Sequence, residues 1–277
     1  MKGGILLKKQ RADKLLVQQG WAEDGEKAKR IIMSGKVYTR DEVQVLTSGE
    51  KLTVGTELYI KGKQSKYVSR GGLKLEKAIN LYQLDLADRI VLDIGSSTGG
   101  FTDAALQNRA KQVYALDVGT NQLAWKLRND ERVVVMEQTN FRHSKLEDFT
   151  KGRPQFATID VSFISLKIIL PVLKKIVEPQ GEVVALIKPQ FEAFKEEVGK
   201  NGIITDSAVH KRVLKDILTF VYDLQYTLCG LTISPITGGK GNIEFLAYLK
   251  NTQPQTELNT AVIEKVLNSE EYKMKNN

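Results

Sequence analysis

Four charged side chains stand where a parallel sheet would bring distant segments together. Lys188 follows the apolar run Ala185-Leu186-Ile187, and Asp160 follows Phe156 to Ile159. Lys74 comes after Ser69-Arg70-Gly71-Gly72, and Glu244 after Gly238-Gly239-Lys240-Gly241-Asn242. A lysine acts as a base only when neutral, which requires burial or a cationic neighbour. Carboxylates beside it hold and orient the ammonium. Singly, each of the four reads as a strand-end, capping or surface residue. Only joint placement around one cleft gives them acid–base chemistry.

A second cluster suits a ligand rather than a proton. The segment Asp93-Ile94-Gly95-Ser96-Ser97-Thr98-Gly99-Gly100-Phe101-Thr102 follows a short apolar strand. Its glycines allow a sharp turn and close approach of backbone to a ligand. Gly-x-Gly-x-x-Gly loops of dinucleotide binders need a middle glycine for the pyrophosphate. Here Gly95 is followed by Ser96 and Ser97. Asp93 would repel a phosphate but attract an ammonium or sulfonium, which favours S-adenosylmethionine over NAD or FAD. A purely structural loop is the bland alternative. Asp117, ending the next strand, can accept from both ribose hydroxyls of an adenosine. Val118 and Asn140 fall on the expected adenine side. Asp160-Val161-Ser162-Phe163 lacks the prolines of the tetrapeptide typical of methylation at exocyclic base nitrogens. Cys229 lies in the wrong segment for thiolate attack on a cytosine carbon.

The elements that must position these groups follow from periodicity. Apolar strands are predicted at Ile90–Leu92, Val113–Leu116, Val133–Met136, Phe156–Ile159 and Val183–Ile187. Helices are predicted at Phe101–Gln107, Gln122–Arg128 and Ser165–Ile176. His210–Leu224 reads as an amphipathic helix, and Tyr226–Ile233 and Ile243–Leu249 as closing strands. Buried β-branched runs spaced by helices indicate an α/β, doubly wound, Rossmann-like sheet. Ligands of such sheets sit beyond the strand C-termini, where the strand order reverses.

The first quarter of the chain differs. Of 41 Lys+Arg and 33 Asp+Glu, residues 1 to 70 hold 15 and 8, so nearly all of the +8 net charge lies there. A basic module beside a neutral one suits a polyanion, since phosphate neutralisation drives non-specific nucleic-acid binding. Two short helices are predicted at Arg11–Gln19 and Ala22–Ser34, then strands at Lys36–Thr39, Val43–Leu46 and Glu57–Ile60. The unpatterned, charged Lys61-Gly62-Lys63-Gln64-Ser65-Lys66 marks a hinge. The expected division is a small domain at 1–61, a linker at 62–69, a larger domain at 70–250 and a C-terminal helix or tail at 251–277. Leu258, Val262, Ile263, Val266 and Leu267 supply that helix's apolar face. The lone cysteine, the lack of a roughly 20-residue apolar run and the short apolar stretch near Met1 indicate a cytoplasmic protein. His143 and His210 stand apart, so no metal site is expected.

Arg11-x-Asp13-x-x-Leu16, with a basic second helix ending in Ile32-Met33-x-Gly35-x-Val37, resembles the S4 RNA-binding domain. Asp24-Gly25 and Thr39-Arg40-Asp41 depart from that family's Ser-Arg and Val-Asn-Gly. By this resemblance Arg11, Lys14, Lys27, Lys29, Arg30 and Lys36, with Arg70 ahead of the larger domain, are expected to contact RNA. Lys74, Asp160, Lys188 and Glu244 are similar to the Lys-Asp-Lys-Glu tetrad of FtsJ-type RNA ribose 2′-O-methyltransferases. The segments at 69–75, 93–103, 160–166 and 187–192 resemble the TlyA group, which joins an S4 domain to that catalytic domain. The resemblance implies S-adenosylmethionine-dependent methylation of ribosomal RNA, free or in a ribosomal subunit, at a cytidine ribose. Lys188 would then activate the 2′-hydroxyl, Asp160 and Glu244 would position the lysines, and Lys74 would stabilise oxyanion charge. Asp93, Gly95, Ser96, Ser97, Gly99, Gly100, Phe101, Asp117, Val118 and Asn140 would hold the cofactor. Phe163 and Phe191 would stack on an extruded base or pack in the core. A membrane-active haemolysin and an RNA-binding protein with a degenerate catalytic domain are the rivals.

Overall fold

The computed structural model describes residues 9–22, 24–62, 66–238 and 240–276. The N-terminal unit runs β1 (Lys9–Arg11), α1 (Ala12–Gln18), α2 (Gly25–Met33), β2 (Val37–Thr39), β3 (Lys51–Thr53) and β4 (Leu58–Ile60). Its two ribbons pair β1 with β3 and β2 with β4, both antiparallel. Leu15, Leu16, Ala28, Ile32, Val37, Leu58 and Ile60 form its core. Asp24 caps α2 by accepting from the Lys27 N–H at 2.7 Å, which gives the aspartate at that position a local task. Sequence periodicity missed β1 and β3, three-residue strands with only one apolar side chain, Leu52, between them. The expected strand at Val43–Leu46 is reduced to one bridge between Tyr38 and Gln44.

The larger unit continues with α3 (Gly71–Tyr82), β5 (Ile90–Ile94), α4 (Gly100–Gln107), β6 (Gln112–Leu116), α5 (Trp125–Arg128) and β7 (Val133–Met136). It is completed by β8 (Phe156–Ile159), α6 (Leu166–Ile176), β9 (Glu182–Ile187), α7 (Pro189–Glu192), α8 (Ser207–Asp223), β10 (Thr227–Ile233), β11 (Phe245–Lys250), α9 (Ala261–Leu267) and α10 (Glu270–Asn276). The seven-stranded sheet has the order β10-β11-β9-β8-β5-β6-β7. Strands β5 to β9 pair in parallel, and β11 lies antiparallel between β9 and β10. The order reverses between β5 and β8, where the loop after Ile94 meets the chain leaving Ile159. Side-chain alternation buries both faces. Val183, Ala185 and Ile187 pack under α6 and α8, while Val184 and Leu186 join the core beneath α3 and α4.

Three boundaries differ from periodicity for local reasons. Helix α5 starts at Trp125 rather than Gln122, because Ala124 is extended (ψ 138°) with its N–H donated to the Thr98 carbonyl, and the Glu137 carboxylate holds the preceding turn through the N–H groups of Asn121, Gln122 and Leu123. The C-terminal helix divides at Asn268-Ser269, and Ser269 Oγ accepts from the Tyr272 N–H to start α10. The expected linker falls partly outside the described residues. Its later part is packed: Tyr67 is buried, Val68 N–H donates to Asp103 at 2.8 Å, and Gln107 donates to the Lys66 carbonyl.

The tail is docked through a buried histidine. His210 on α8 meets the Tyr272 hydroxyl of α10 at 2.7 Å, and burial holds its imidazole down to about 4 from an ordinary 6.5. A depressed histidine contributes stability that is complete above pH 6.5 and is lost as pH falls through 4. Thermal unfolding followed across that window is therefore expected to show a falling midpoint. His210→Leu should lose that part of the acid sensitivity.

Candidate active site

The small unit rests on the larger one. A Cβ at Gly20 would lie 3.0 Å from Leu73 Cδ1 and 3.3 Å from Ile236 Cγ2. Between the units a cleft of about 800 Å³ opens at the C-terminal edge of the sheet. That volume suits a small-molecule site. Gly95, Ser96, Ser97, Gly100, Phe101, Lys74, Asp160, Lys188 and Glu244 line it from the larger unit. Trp21, Arg40, Glu57 and Tyr59 close it from the small one.

Inside the cleft the four charges form one chain of contacts. Lys74 Nζ, carried on α3, lies 2.8 Å from Glu244 Oε2 and 3.0 Å from Asp160 Oδ2. The other Asp160 oxygen lies 2.6 Å from Lys188 Nζ, whose ammonium also donates to Ser162 Oγ at 3.3 Å. Each residue arrives from a different part of the topology: Asp160 from the end of β8, Lys188 from the end of β9, and Glu244 just before β11. Burial disfavours the Lys74 charge, but Asp160 and Glu244 outweigh it and hold the ammonium up at about 12. Burial likewise opposes ionisation of Asp160, yet Lys74 and Lys188 keep its carboxyl down at about 2. Two cations and two anions thus neutralise each other. Both lysines are buried; Lys188 is held by a single carboxylate, while Lys74 is clamped by two.

Beside the tetrad, the loop from Gly95 to Gly100 lines the cleft and packs so closely on its neighbours that side chains would collide. A Cβ at Gly95 (φ 84°) would meet the Asp160 carbonyl oxygen at 2.5 Å. One at Gly100 would meet Ser69 Oγ at 2.3 Å. Gly99 (φ 96°) leads into α4 from the left-handed region. The Ser96 hydroxyl is buried without a hydrogen-bond partner among the described residues. A cleft lined by this loop, with an unpartnered buried hydroxyl next to four reactive side chains, fits a cofactor such as S-adenosylmethionine.

Several expected positions serve differently. The buried Asp93 carboxylate accepts from the Thr102 N–H at 2.9 Å, Thr102 Oγ1 at 2.7 Å and Thr158 Oγ1 at 2.9 Å. It fixes the start of α4 to the sheet while also lining the cleft, and burial pushes it up to about 6. Asp117 stands at the end of β6. It accepts from the Ser97 N–H at 2.8 Å and the Gly119 N–H at 2.7 Å, so it holds the loop's outer turn. Val118 and Asn140 are exposed beyond the cleft edge, and Asn140 accepts from the Arg142 N–H. Phe163 is not core: it is 90% exposed, at φ 62°, with its ring 4.9 Å from that of Phe191. A bulky residue in the left-handed region is strained, and its neighbour Ser162 lines the cleft.

The basic residues scatter in role. Arg11 pairs with Asp13 at 2.6 Å and Lys29 with Glu26 at 2.6 Å. Lys14, Arg30 and Lys36 are exposed, and Lys27 is partly buried in the first turn of α2. Arg70 lines the cleft itself, where burial lowers its guanidinium pKa. Sequence reasoning missed Trp21, Arg40, Glu57 and Tyr59, because their place on the wall depends on how the two units pack.

Similarity to known proteins agrees with this geometry. The FtsJ-like methyltransferase family matches residues 67–251. The chain is 60% identical over 242 residues to the protein named "Putative rRNA methyltransferase YqxC" of Bacillus subtilis (strain 168), covering 87% of this chain and 86% of that one. It is 36% identical over 260 residues to "16S/23S rRNA (cytidine-2'-O)-methyltransferase TlyA" of Mycobacterium tuberculosis (strain ATCC 25618 / H37Rv), covering 94% and 96%. A solved structure titled "Putative hemolysin from Streptococcus thermophilus" matches with a TM-score of 0.77 and 52% identity over 98% of both chains. The chain belongs to the FtsJ-like methyltransferase family, in its TlyA group.

Proposed function

We propose that this chain transfers a methyl group from S-adenosylmethionine to the ribose 2′-hydroxyl of a cytidine in ribosomal RNA. The observation that carries the reading is the convergence of Lys74, Asp160, Lys188 and Glu244 beside the glycine loop. The cofactor supplies a methyl group activated by a sulfonium. Every other requirement falls to side chains of the protein. A 2′-hydroxyl is a weak nucleophile, so its proton must leave as the O–C bond forms. Lys188 Nζ, a cleft-lining amine held by one carboxylate rather than two, accepts that proton once it has released its own. Lys74 is held charged by two carboxylates and stabilises negative charge developing on the oxygen. Asp160 orients both lysines, and Glu244 keeps Lys74 in place. Holding hydroxyl and methyl in line contributes much of the acceleration, since proximity is worth about 7–11 kcal/mol.

The same reading assigns RNA docking to the N-terminal unit as an S4-like domain, through the exposed Lys14, Arg30 and Lys36 together with Arg11, Lys27, Lys29 and Arg70. Phe163 and Phe191 stack on the target base once it leaves its helix. The substrate is ribosomal RNA, free or within a ribosomal subunit, in the cytoplasm. The test uses ribosomal RNA transcribed with either cytidine or 2′-deoxycytidine, alone and assembled with ribosomal proteins, and tritiated cofactor. Label is expected in the cytidine transcript and lost from the deoxycytidine one. Equal labelling of both would overturn the assignment to a ribose oxygen.

A further inference from the structure

The wall of the cleft opposite the tetrad carries an aromatic surface that the mechanism above does not use. In the β2–β4 ribbon, Val37, Thr39, Leu58 and Ile60 are buried, which turns Tyr38 and Tyr59 to the other face. The two tyrosines are register partners, with ring centroids 5.8 Å apart and planes inclined by 28°. Tyr59 lines the cleft that also holds Lys188 and Asp160. Lys61 Nζ lies 5.0 Å from the Tyr38 ring centroid. Around the pair the charges are mixed. Arg40 is bonded to Glu57 at 3.1 Å, and the Tyr59 hydroxyl donates to Glu42, which raises the phenol to about 12.

We infer that Tyr59, backed by Tyr38, is a stacking shelf for a nucleobase of the RNA strand that threads the cleft next to the methylated nucleotide. The inference rests on the proposed RNA substrate. Three features select a base as the occupant. The surface is aromatic and half-exposed, so it offers the π-face on which unpaired bases stack. Its local charge is balanced by Arg40 and Lys61 against Glu42 and Glu57, which disfavours phosphate as the main contact. Its place across the cleft from Lys188 puts it beside the reacting nucleotide, while the surplus positive charge of the N-terminal quarter draws the strand in.

The test measures anisotropy of a short fluorescein-labelled oligocytidylate and of the same oligomer with abasic sites, at several salt concentrations and without cofactor. Tyr59→Ala is expected to weaken binding of the base-bearing oligomer about tenfold or more. Tyr38→Ala should weaken it less, and Tyr59→Phe less than about twofold. The abasic oligomer should bind wild type and Tyr59→Ala alike, with the salt slope unchanged because no phosphate contact is removed. Wild-type affinity in Tyr59→Ala, or an equal loss for both oligomers, would overturn the shelf. Because no methyl transfer is involved, failure here leaves the deoxycytidine experiment untouched. Loss of transfer to cytidine transcripts with an intact base-dependent affinity would remove only the catalytic reading.

Discussion

Replacing Lys188 by methionine is expected to reduce the methyl-transfer rate by a factor on the order of 10² to 10⁴, the range typical of a lost general base, while S-adenosylmethionine affinity stays within about twofold. The amine sits where β9 ends, reaches the cleft, and contacts one carboxylate and the Ser162 hydroxyl. Methionine keeps the length of the arm but cannot accept a proton. The loop formed by Gly95, Ser96 and Gly100 does not depend on it. Single-turnover transfer and calorimetric titration of the cofactor separate the two effects. A variant that methylates at the wild-type rate would remove Lys188 as proton acceptor.

Lys74→Met is expected to have the largest effect on stability. Lys74 Nζ pairs with Glu244, whose side chain is 3% exposed, and it also holds one oxygen of Asp160. Removing one member of a buried pair leaves an uncompensated charge, which costs about 3–5 kcal/mol. Urea unfolding of Lys74→Met should show that loss, and the double variant Lys74→Met/Glu244→Leu should recover much of it by removing the stranded carboxylate. Two singles that simply add would argue against coupling. The sign of the pH dependence follows from the two shifts. Asp160, lowered from 3.8 to about 2, contributes stability above 3.8 that is lost as pH falls towards 2. Lys74, raised from 10.5 to about 12, contributes stability below 10.5 that is lost as pH rises through 12. Wild type therefore keeps this contribution across neutral pH.

Much of the larger domain was legible because a parallel sheet buried on both faces needs continuous apolar strands. Val133–Met136 and Phe156–Ile159 coincide with their periodic runs for that reason. Asp160 and Lys188 were legible as strand-end positions, since topology alone brings the ends of β8 and β9 together. What sequence hid depended on contacts made by single residues. Ala124 is extended and donates its N–H to the Thr98 carbonyl, which starts α5 late, and Asp93 is tied to Thr102 and Thr158. The small ribbons of β1 and β3 carry charged residues with no apolar alternation to reveal them. The cleft wall of Trp21, Arg40, Glu57 and Tyr59 arises from docking of two units, which no local pattern encodes. No helix among the described residues is long and apolar enough to cross a membrane.

The most direct measurement is alkaline hydrolysis of ribosomal RNA labelled by the purified protein with tritiated S-adenosylmethionine. A blocked 2′-oxygen prevents strand scission at that linkage, so the label should survive in dinucleotides whose 5′ residue is a methylated cytidine. Tritium recovered in mononucleotides, on a base rather than a sugar, would contradict the account.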